Sequence, residues 1–313
     1  MRAFVFPGQG SQFVGMGRDL DGAFPVARET FQEIDDALNQ KLSKIMFEGA
    51  ESDLNLTENT QPALMAVSLA VARILRQAKP DLFAPEKTKF VAGHSLGEYS
   101  ALTAAGAFQL QDAARLLKLR GLAMQKAVPV GAGAMAAILG LEIADVVAIA
   151  KEAGGSEVVA AANDNSFGQV VVSGHKDAVG KAIALATARG AKRAILLPVS
   201  APFHCSLMKP AADAMRQALE AVDIRPPGVP LVANVSADSV TDPSEIRQLL
   251  VEQVTGMVRW RESVLYMKME GVTTLVELGA GKVLSGLTRR IDAGLTGRAV
   301  GTPKDIEEFA ATL

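Results

Sequence analysis

Residues 90–97 read FVAGHSLG, and this stretch is the strongest indication of the fold. An apolar strand over residues 90–92 runs into a Gly-x-Ser-x-Gly turn centred on Ser95, and a helix-like segment follows. A turn of this kind holds its serine in a strained backbone conformation, and the two glycines give the clearance that it needs. The serine hydroxyl would project above a sheet edge, beside the Leu96 N–H at the positive end of the helix. The pattern predicts acyl transfer through an acyl-serine, and a Gly/Ser loop that only turns the chain is the alternative.

Short apolar runs alternate with longer helical patterns through the rest of the chain. This alternation is typical of an α/β fold with a mostly parallel sheet. Residues 128–133 are rich in Pro and Gly, as in a linker between subdomains, and the next elements follow the βαββαβ order of a ferredoxin-like module. We therefore predict a large α/β domain made of residues 1–127 and 200–313, with residues 128–199 inserted as a small subdomain.

Local patterns also predict the individual elements. Pro62 is expected in the first turn of one helix, and Asp112 is expected to cap another. The predicted strands cover residues 2–6, 89–92, 134–139, 158–162, 169–173, 194–199, 231–234 and 274–278, and the predicted helices cover residues 63–75, 96–107, 112–127, 144–153, 177–189 and 210–222.

Composition excludes several classes of protein. The chain has 313 residues, of which 49% are hydrophobic and 21% charged, and its formal charge of −2 gives no electrostatic footprint for nucleic acid. Its one cysteine, Cys205, allows no internal disulfide, which is typical of a reducing cytosol. The N-terminal apolar run is too short for a signal peptide, and no apolar stretch reaches membrane-spanning length. A cytoplasmic protein without a membrane segment is expected.

A nucleophilic serine needs a base, and the chain offers three histidines. His94 adjoins Ser95, so its side chain is expected to point away from the hydroxyl. His175 begins a predicted helix of the small subdomain, where an exposed or capping histidine is ordinary. His204 directly follows the last strand of the inserted module, where the chain re-enters the large domain and a cleft is expected. His204 is therefore the predicted base, with a satisfied buried histidine as the alternative.

No third member of a catalytic triad is convincing. The order of Ser95 before His204 would also suit an α/β-hydrolase, in which an acid lies between them. The intervening acids mostly fall on the small subdomain as helix caps or loop residues: Asp145, Asp164 and Asp177. A dyad whose imidazole is oriented by a backbone carbonyl or an amide fits better. Cys205 is interpreted as a buried hydrophobe.

Arg120 lies on the apolar face of its predicted helix. It shares that face with residues at helical spacing: Ala113, Leu116, Leu117 and Met124. Such a guanidinium either extends to water or pairs with an anion, for which its fork suits a carboxylate, and spacing alone leaves both open.

Two glycine-containing loops need an interpretation. Residues 7–12 lack the third glycine of a dinucleotide loop, but a tight loop at the end of a strand can offer a backbone N–H to a neighbouring site. Residues 279–282 lack the spacing of a phosphate loop and are interpreted as a strand-to-helix turn.

Six segments, found in the same order, resemble the malonyl-CoA:acyl-carrier-protein transacylase family along essentially the whole chain. The segments are residues 6–12, 93–99, 120–121, 165–170, 202–204 and 277–282. The resemblance implies an α/β-hydrolase-like core with a ferredoxin-like insertion and an active site between them. Phe167 departs from the family, which commonly has Pro there, and Phe203 resembles the malonyl-selective members.

The resemblance also implies roles for six residues: Ser95 as nucleophile, His204 as general base, the backbone N–H groups of Gln9 and Leu96 as oxyanion hole, Arg120 as a bidentate partner of the malonyl carboxylate, and the Gln253 main-chain carbonyl as the group that orients the histidine. The implied reaction carries malonyl from malonyl-CoA to the phosphopantetheine thiol of holo-acyl carrier protein, without a metal or other cofactor, and supplies elongation units for fatty-acid synthesis. Use in polyketide assembly stays open as an alternative, and the length of the chain favours the fatty-acid pathway. The alternatives are a serine esterase or thioesterase and a non-catalytic module that binds carrier protein.

A transient partner such as an acidic carrier protein calls for a basic rim near the cleft. Arg189, Lys192 and Arg193 are the candidates, and solvated charges at a helix end are the alternative interpretation of each. A monomer is expected.

Overall fold

The chain is described here by a computed structural model that covers residues 1–199 and 201–313. Ser200, at which the large domain is predicted to resume, lies outside the described residues. Within the described ranges the chain forms ten β-strands: β1 (Arg2–Phe6), β2 (Phe90–Gly93), β3 (Gly133–Leu139), β4 (Val159–Ser166), β5 (Gln169–His175), β6 (Arg193–Leu196), β7 (Leu231–Val232), β8 (Ser239–Val240), β9 (Thr274–Leu278) and β10 (Thr296–Val300).

The described ranges also contain fourteen α-helices and one short 3₁₀ turn over Ser206–Met208. The α-helices are α1 (Arg18–Ala23), α2 (Pro25–Leu38), α3 (Leu42–Glu48), α4 (Glu51–Leu54), α5 (Thr57–Ala78), α6 (Gly97–Ala104), α7 (Leu110–Lys126), α8 (Ile143–Gly154), α9 (Lys176–Ala188), α10 (Lys209–Glu220), α11 (Pro243–Thr255), α12 (Trp260–Met269), α13 (Val283–Ile291) and α14 (Pro303–Ala310).

Two sheets organise these elements. The larger has the order β10-β9-β1-β2-β7-β8, and all its neighbouring strands run parallel except β7 and β8. The smaller has the order β4-β5-β3-β6 and is antiparallel throughout. This architecture confirms the predicted α/β class with a mostly parallel sheet. The small sheet and its helices lie between Gly133 and Leu196, and the division into domains at residues 128 and 199 remains a prediction.

The central strand β1 shows why the large sheet is buried on both faces. Phe4 and Phe6 point into one apolar cluster, which includes much of α5, whereas Ala3 and Val5 point into a second cluster around Trp260. Successive side chains of a strand alternate between faces, so a parallel sheet covered by helices on both sides needs apolar residues at every position. The small sheet has an apolar cluster of its own with α8 and α9.

Two local predictions are wrong. Pro62 lies inside α5, which begins at Thr57, because the polar residues before the proline are buried and tertiary packing extends the helix through them. Asp112 is the third residue of α7 rather than its cap, since Gln109 precedes the helix in an extended conformation. The remaining boundaries differ by up to a few residues, as expected where ends depend on tertiary contacts.

The described residues contain no helix whose length and apolar character would let it cross a bilayer.

Gly121 lets α7 approach α5 closely enough to place the neighbouring Arg120 beside Gln61. A Cβ at Gly121 would lie 2.5 Å from Glu58 Cα and 2.6 Å from the Thr57 carbonyl oxygen. We expect Gly121→Ala to lower the free energy of unfolding by about 1–3 kcal/mol, the usual cost of overpacking a rigid contact, as measured by urea denaturation.

The matched control for this prediction is Gly180→Ala in α9. A Cβ at Gly180 would meet nothing within 4 Å, so the change should raise the unfolding free energy by about 0.5–1 kcal/mol, the helix preference for Ala over Gly. Equal effects at both glycines would contradict the role given to the α5–α7 contact.

Candidate active site

Ser95 lies at the apex of the turn between β2 and α6, in the left-handed conformation with φ of 53°. The flanking glycines are required by contact: a Cβ at Gly93 would lie 1.9 Å from the Gly97 carbonyl carbon, and one at Gly97 would lie 2.3 Å from the Phe6 carbonyl oxygen. The Ser95 N–H donates to Asn234 Oδ1 at 2.8 Å, which helps to hold the strained residue. This is the strand–turn–helix geometry that the sequence predicts.

His204 meets Ser95 across 109 positions of sequence, with Ser95 Oγ and His204 Nε2 2.8 Å apart. Its other nitrogen, Nδ1, lies 2.8 Å from the Gln253 main-chain carbonyl oxygen. Because a carbonyl only accepts hydrogen bonds, Nδ1 carries the imidazole proton and Nε2 keeps a lone pair toward the hydroxyl. The arrangement is therefore ready to take the serine proton.

The electrostatic surroundings keep His204 neutral. Burial, together with the positive charge of Arg120, lowers the pKa of His204 to about 3. Desolvation also lowers the pKa of His94, which is half-buried, but its Nε2 lies 2.9 Å from Asn165 Oδ1 on β4. His175 accepts the Val158 N–H at 2.9 Å on the small sheet. Of the three histidines, His204 is the one that the structure places on Ser95.

Arg120 is buried beside the nucleophile, with 1% of its surface exposed. Its Nη1 donates to Gln61 Oε1 at 2.8 Å, and its Nη2 donates to Gln253 Oε1 at 2.8 Å and to Ser95 Oγ at 3.1 Å. Its Nε–H has no hydrogen-bond partner among the described residues. Burial lowers the pKa of the guanidinium, with Tyr99 and Glu98 opposing. Of the two alternatives that spacing left open, extension to water is excluded.

These groups surround a pocket of about 340 Å³ between the two sheets. The large-sheet side contributes Ser95, Arg120 and His204, and the small-sheet side contributes residues of β3, β4 and β5. Gln9 and Leu96 also line this pocket, which is where backbone donors for an oxyanion are needed. The Gln9 loop is braced by Gln12, whose Oε1 accepts the Gly10 N–H at 2.7 Å and whose Nε2 donates to Asn55.

The three acids considered as third members of a triad, Asp145, Asp164 and Asp177, lie away from His204. Asp164 is buried against Arg261, with 2.8 Å between its Oδ2 and Arg261 Nη2. Asp145 and Asp177 lie in the first turns of α8 and α9. The Gln253 carbonyl occupies the position on His204 that a triad acid would take. Cys205 is also buried, and burial raises the pKa of its thiol.

Two phenylalanines singled out in the sequence have different surroundings. Phe203 is buried and lines the pocket, next to His204. Phe167 is half-exposed at the turn between β4 and β5, where the Arg261 guanidinium lies 4.8 Å from its ring centroid.

Three residues that sequence reasoning missed complete the site: Gln61, Glu98 and Asn234. Gln61 is a polar residue at the start of a buried apolar helix, and Asn234 follows the carboxyl end of β7. Both positions signal a polar group aimed at a site. Glu98 gives no signal of burial in the sequence, because a carboxylate in the first turn of a helix is ordinarily solvated.

Burial raises the pKa of Glu98 to about 8, against the opposing effects of the Asn234 N–H, the Gln253 amide and Arg120.

Comparisons with known proteins show the family to which the chain belongs. The pattern of the acyl transferase domain family matches residues 3–290. The chain is 47% identical over 312 residues to the malonyl CoA-acyl carrier protein transacylase of Bacillus subtilis (strain 168), covering 99% of this chain and 96% of that protein.

Solved structures are similar over their full length. The acyl-carrier-protein S-malonyltransferase of Bartonella henselae matches with a TM-score of 0.97 at 54% identity, covering 99% of this chain and 98% of that one. A malonyl-transacylase solved in complex with its type II polyketide synthase acyl-carrier protein matches with a TM-score of 0.96 at 43% identity, covering 100% and 99%.

Proposed function

Because this chain belongs to the acyl transferase family, and within it to the malonyl-CoA:acyl-carrier-protein transacylases, we propose that it transfers malonyl from malonyl-CoA to the phosphopantetheine thiol of acyl carrier protein. Relatives that match nearly the whole chain are named for this reaction. The product would supply the elongation units of fatty-acid synthesis. Acyl carrier protein is the partner, since a similar transacylase has been solved in complex with one.

The observation that carries the choice of acyl group is the position of Arg120. Its guanidinium is buried 3.1 Å from the nucleophilic oxygen, keeps one N–H without a partner among the described residues, and has no carboxylate there within ion-pairing distance. A buried donor and an uncompensated charge are both costly, and a carboxylate on the substrate satisfies both. The site therefore favours an acyl group that ends in its own carboxylate.

In the first half-reaction, His204 Nε2 takes the proton of Ser95 Oγ while the oxygen attacks the thioester carbonyl carbon of malonyl-CoA. The backbone N–H groups of Gln9 and Leu96 hold the oxyanion of the tetrahedral intermediate. The C–S bond then breaks, coenzyme A leaves with the proton from His204, and malonyl remains esterified to Ser95.

In the second half-reaction, the phosphopantetheine thiol of the carrier protein gives its proton to His204, and its sulfur attacks the ester carbonyl carbon. The bond to Ser95 Oγ breaks, and the oxygen recovers the proton from His204. The Gln253 carbonyl keeps neutral His204 in the same tautomer in both half-reactions. The same Nε2 can therefore return a proton to coenzyme A in the first and to Ser95 Oγ in the second. This chemistry needs no metal or other cofactor.

The low pKa of His204 determines the pH dependence of acylation. A base with a pKa of about 3 stays neutral well below the usual histidine value of 6.5. We expect the single-turnover rate of Ser95 malonylation, measured by rapid quench and intact mass, to stay flat as the pH falls through 6.5 toward 5. A fall with its midpoint near the ordinary histidine pKa would contradict this.

The same pKa shift affects stability, so folding must be controlled in that experiment. The unfolded chain takes up a proton on this histidine near pH 6.5, whereas the folded chain does so near pH 3. Stability from this group is therefore present above pH 6.5 and falls as the pH decreases below it. Circular dichroism at each pH separates loss of fold from loss of base.

The three basic residues considered for a rim that binds the carrier protein differ in their ion pairs. Lys192 and Arg193 are exposed at the start of β6, on the edge of the small sheet, whereas Arg189 forms an ion pair with Glu152. We propose Lys192 and Arg193 as the contacts with an acidic partner, since an already paired Arg189 has less charge to offer.

Intact-mass analysis tests the proposed function. The protein is mixed with malonyl-CoA, and holo-acyl carrier protein is added afterwards. A malonyl adduct that maps to Ser95 and moves to the carrier protein supports transfer. Rapid release of free malonate would indicate a thioesterase, and no adduct would indicate a binding module; either result would overturn the proposal.

A further inference from the structure

Glu98 is a buried carboxylate that the reaction above does not use. It is the second residue of α6, three positions after the nucleophile, and 1% of its surface is exposed. One oxygen, Oε1, accepts the backbone N–H of Asn234, and the other, Oε2, accepts the side-chain amide N–H of Gln253. Because both carboxyl oxygens accept hydrogen bonds from neighbours of Ser95, Glu98 can fix the orientation of those neighbours.

The first consequence concerns the orientation of the Gln253 amide. Above its raised pKa of about 8, Glu98 is ionised, accepts hydrogen bonds and donates none, so the NH₂ end of Gln253 must then face it. The same Nε2 donates to the Ser95 carbonyl oxygen at 2.9 Å. It also donates to Asn234 Oδ1 at 3.3 Å, so the NH₂ end of Gln253 faces three acceptor oxygens and its own oxygen lies on the other side, toward Arg120.

The second consequence concerns Arg120. Its Nη2 donates to Gln253 Oε1 at 2.8 Å, and the same nitrogen reaches Ser95 Oγ. Arginine has five N–H donors and no acceptor, so a reversed Gln253 amide would bring NH₂ against N–H and push the guanidinium away. The direction of one amide thus determines whether Arg120 is anchored beside the nucleophile.

We propose that Glu98 is a positioning residue that selects for a carboxylate-bearing acyl group by fixing the Gln253 amide so that its oxygen anchors Arg120. This deepens the proposed function and rests on it. Glu98 itself touches neither substrate nor reacting atoms, and it acts through Gln253. The Gln253 main-chain carbonyl, which orients His204, is not involved, so selectivity can change while the base stays in place.

Glu98→Gln tests this with a nearly isosteric change. The new side chain must keep its oxygen toward the Asn234 N–H, so its NH₂ group faces Gln253. The Ser95 carbonyl and Asn234 Oδ1 still accept from the Gln253 NH₂, but the two facing NH₂ groups at positions 98 and 253 destabilise this orientation and favour the reversed amide, with its NH₂ toward Arg120. We expect the KM for malonyl-CoA to rise about tenfold, the value of one charged hydrogen bond, with a much smaller change in kcat or in acylation by acetyl-CoA.

The readout is the ratio of malonyl-CoA to acetyl-CoA acylation of Ser95, by intact mass, at a pH above the raised pKa of Glu98. The matched control is Glu277→Gln, which alters a fully buried carboxyl that accepts the N–H groups of Leu284 and Ser285. That control should lower the melting temperature and leave the ratio unchanged. A ratio in Glu98→Gln equal to that of the parent overturns the proposal.

A double-mutant cycle with Gln253→Met separates positioning from general damage. Methionine keeps the main-chain carbonyl that orients His204 but removes the amide. If Glu98 acts through that amide, Glu98→Gln has no further effect on the ratio in the Gln253→Met background; independent effects that multiply would overturn the proposal.

If Glu98→Gln fails to fold, the Gln253→Met variant alone tests the proposal. Gln253→Met alone must then lower the ratio, and an unchanged ratio would overturn the proposal. The parent protein is assayed in parallel, so an absent malonyl-Ser95 there would indicate failure of the proposed function rather than of this inference.

Discussion

Replacing Ser95 with alanine is expected to abolish malonyl-enzyme formation and transfer to carrier protein. The hydroxyl oxygen lies 2.8 Å from His204 Nε2, the nitrogen that takes its proton, and without it no acyl-enzyme can form. Loss of a nucleophile of this kind lowers kcat by up to about 10⁶-fold. The measurement is intact mass after incubation with malonyl-CoA, together with transfer of label to holo-acyl carrier protein.

Ser100→Ala is the matched control for this change. Ser100 is buried in α6, five residues after Ser95 in the chain, and its hydroxyl has no partner among the described residues. Its removal should leave acylation within a fewfold of the parent. A malonyl adduct that persists in Ser95→Ala, or an equal loss in Ser100→Ala, would contradict the assignment of the nucleophile.

Replacing Arg120 with methionine is expected to convert a malonyl-selective site into an unselective one. Methionine keeps most of the buried volume but offers no charge to a substrate carboxylate. Losing one side of a desolvated, hydrogen-bonded charge pair costs about 2–5 kcal/mol, so malonyl acylation should fall by a factor between about 30 and about 4,000. Acetyl acylation should fall far less, because acetyl leaves the guanidinium unpaired in the parent.

Arg115→Met is the control on the same helix. Arg115 is exposed and pairs with Asp112 in the first turn of α7, away from the pocket. Its replacement should change the rate of Ser95 acylation by neither malonyl-CoA nor acetyl-CoA. The experiment compares the rates of Ser95 acylation by malonyl-CoA and acetyl-CoA in all three proteins. If acetyl is charged no better relative to malonyl after Arg120→Met, the role of Arg120 in selectivity is wrong.

The fold class could be predicted from the sequence because its signals are local. Strand β9 appears over the predicted residues 274–278, and the small sheet follows the predicted βαββαβ order. Helix α5 shows the limit of this reasoning. Intrinsic propensity favours a start at Pro62, but burial of the preceding polar residues extends the helix to Thr57. A contact with α7 that is remote in sequence decides that boundary.

The site was predictable to different degrees at different residues. The turn around Ser95 follows from a motif within two residues of it, although the clearance at Gly97 is against Phe6 on β1, and His204 followed from its place at the end of the inserted module. The sequence left open whether the Arg120 guanidinium extends to water or pairs with an anion. Helical spacing shows which face of α7 carries Arg120 but not what packs against that face. Gln61, Glu98 and Asn234 were missed, since each acts through partners far away in the chain.

The sequence by itself determined that this chain presents a strained serine at a strand–turn–helix junction, because the strand, the Gly-x-Ser-x-Gly turn and the helix are adjacent in the chain and the clearance at Gly93 is against Gly97 and Glu98. It also determined the alternation that produces a parallel sheet. Only the tertiary structure decided that Arg120 is buried, which way the Gln253 amide faces, and that both meet Ser95. Those outcomes depend on the distances between helices α5, α7 and α11. Side-chain packing determines these distances, and a local sequence pattern cannot predict them.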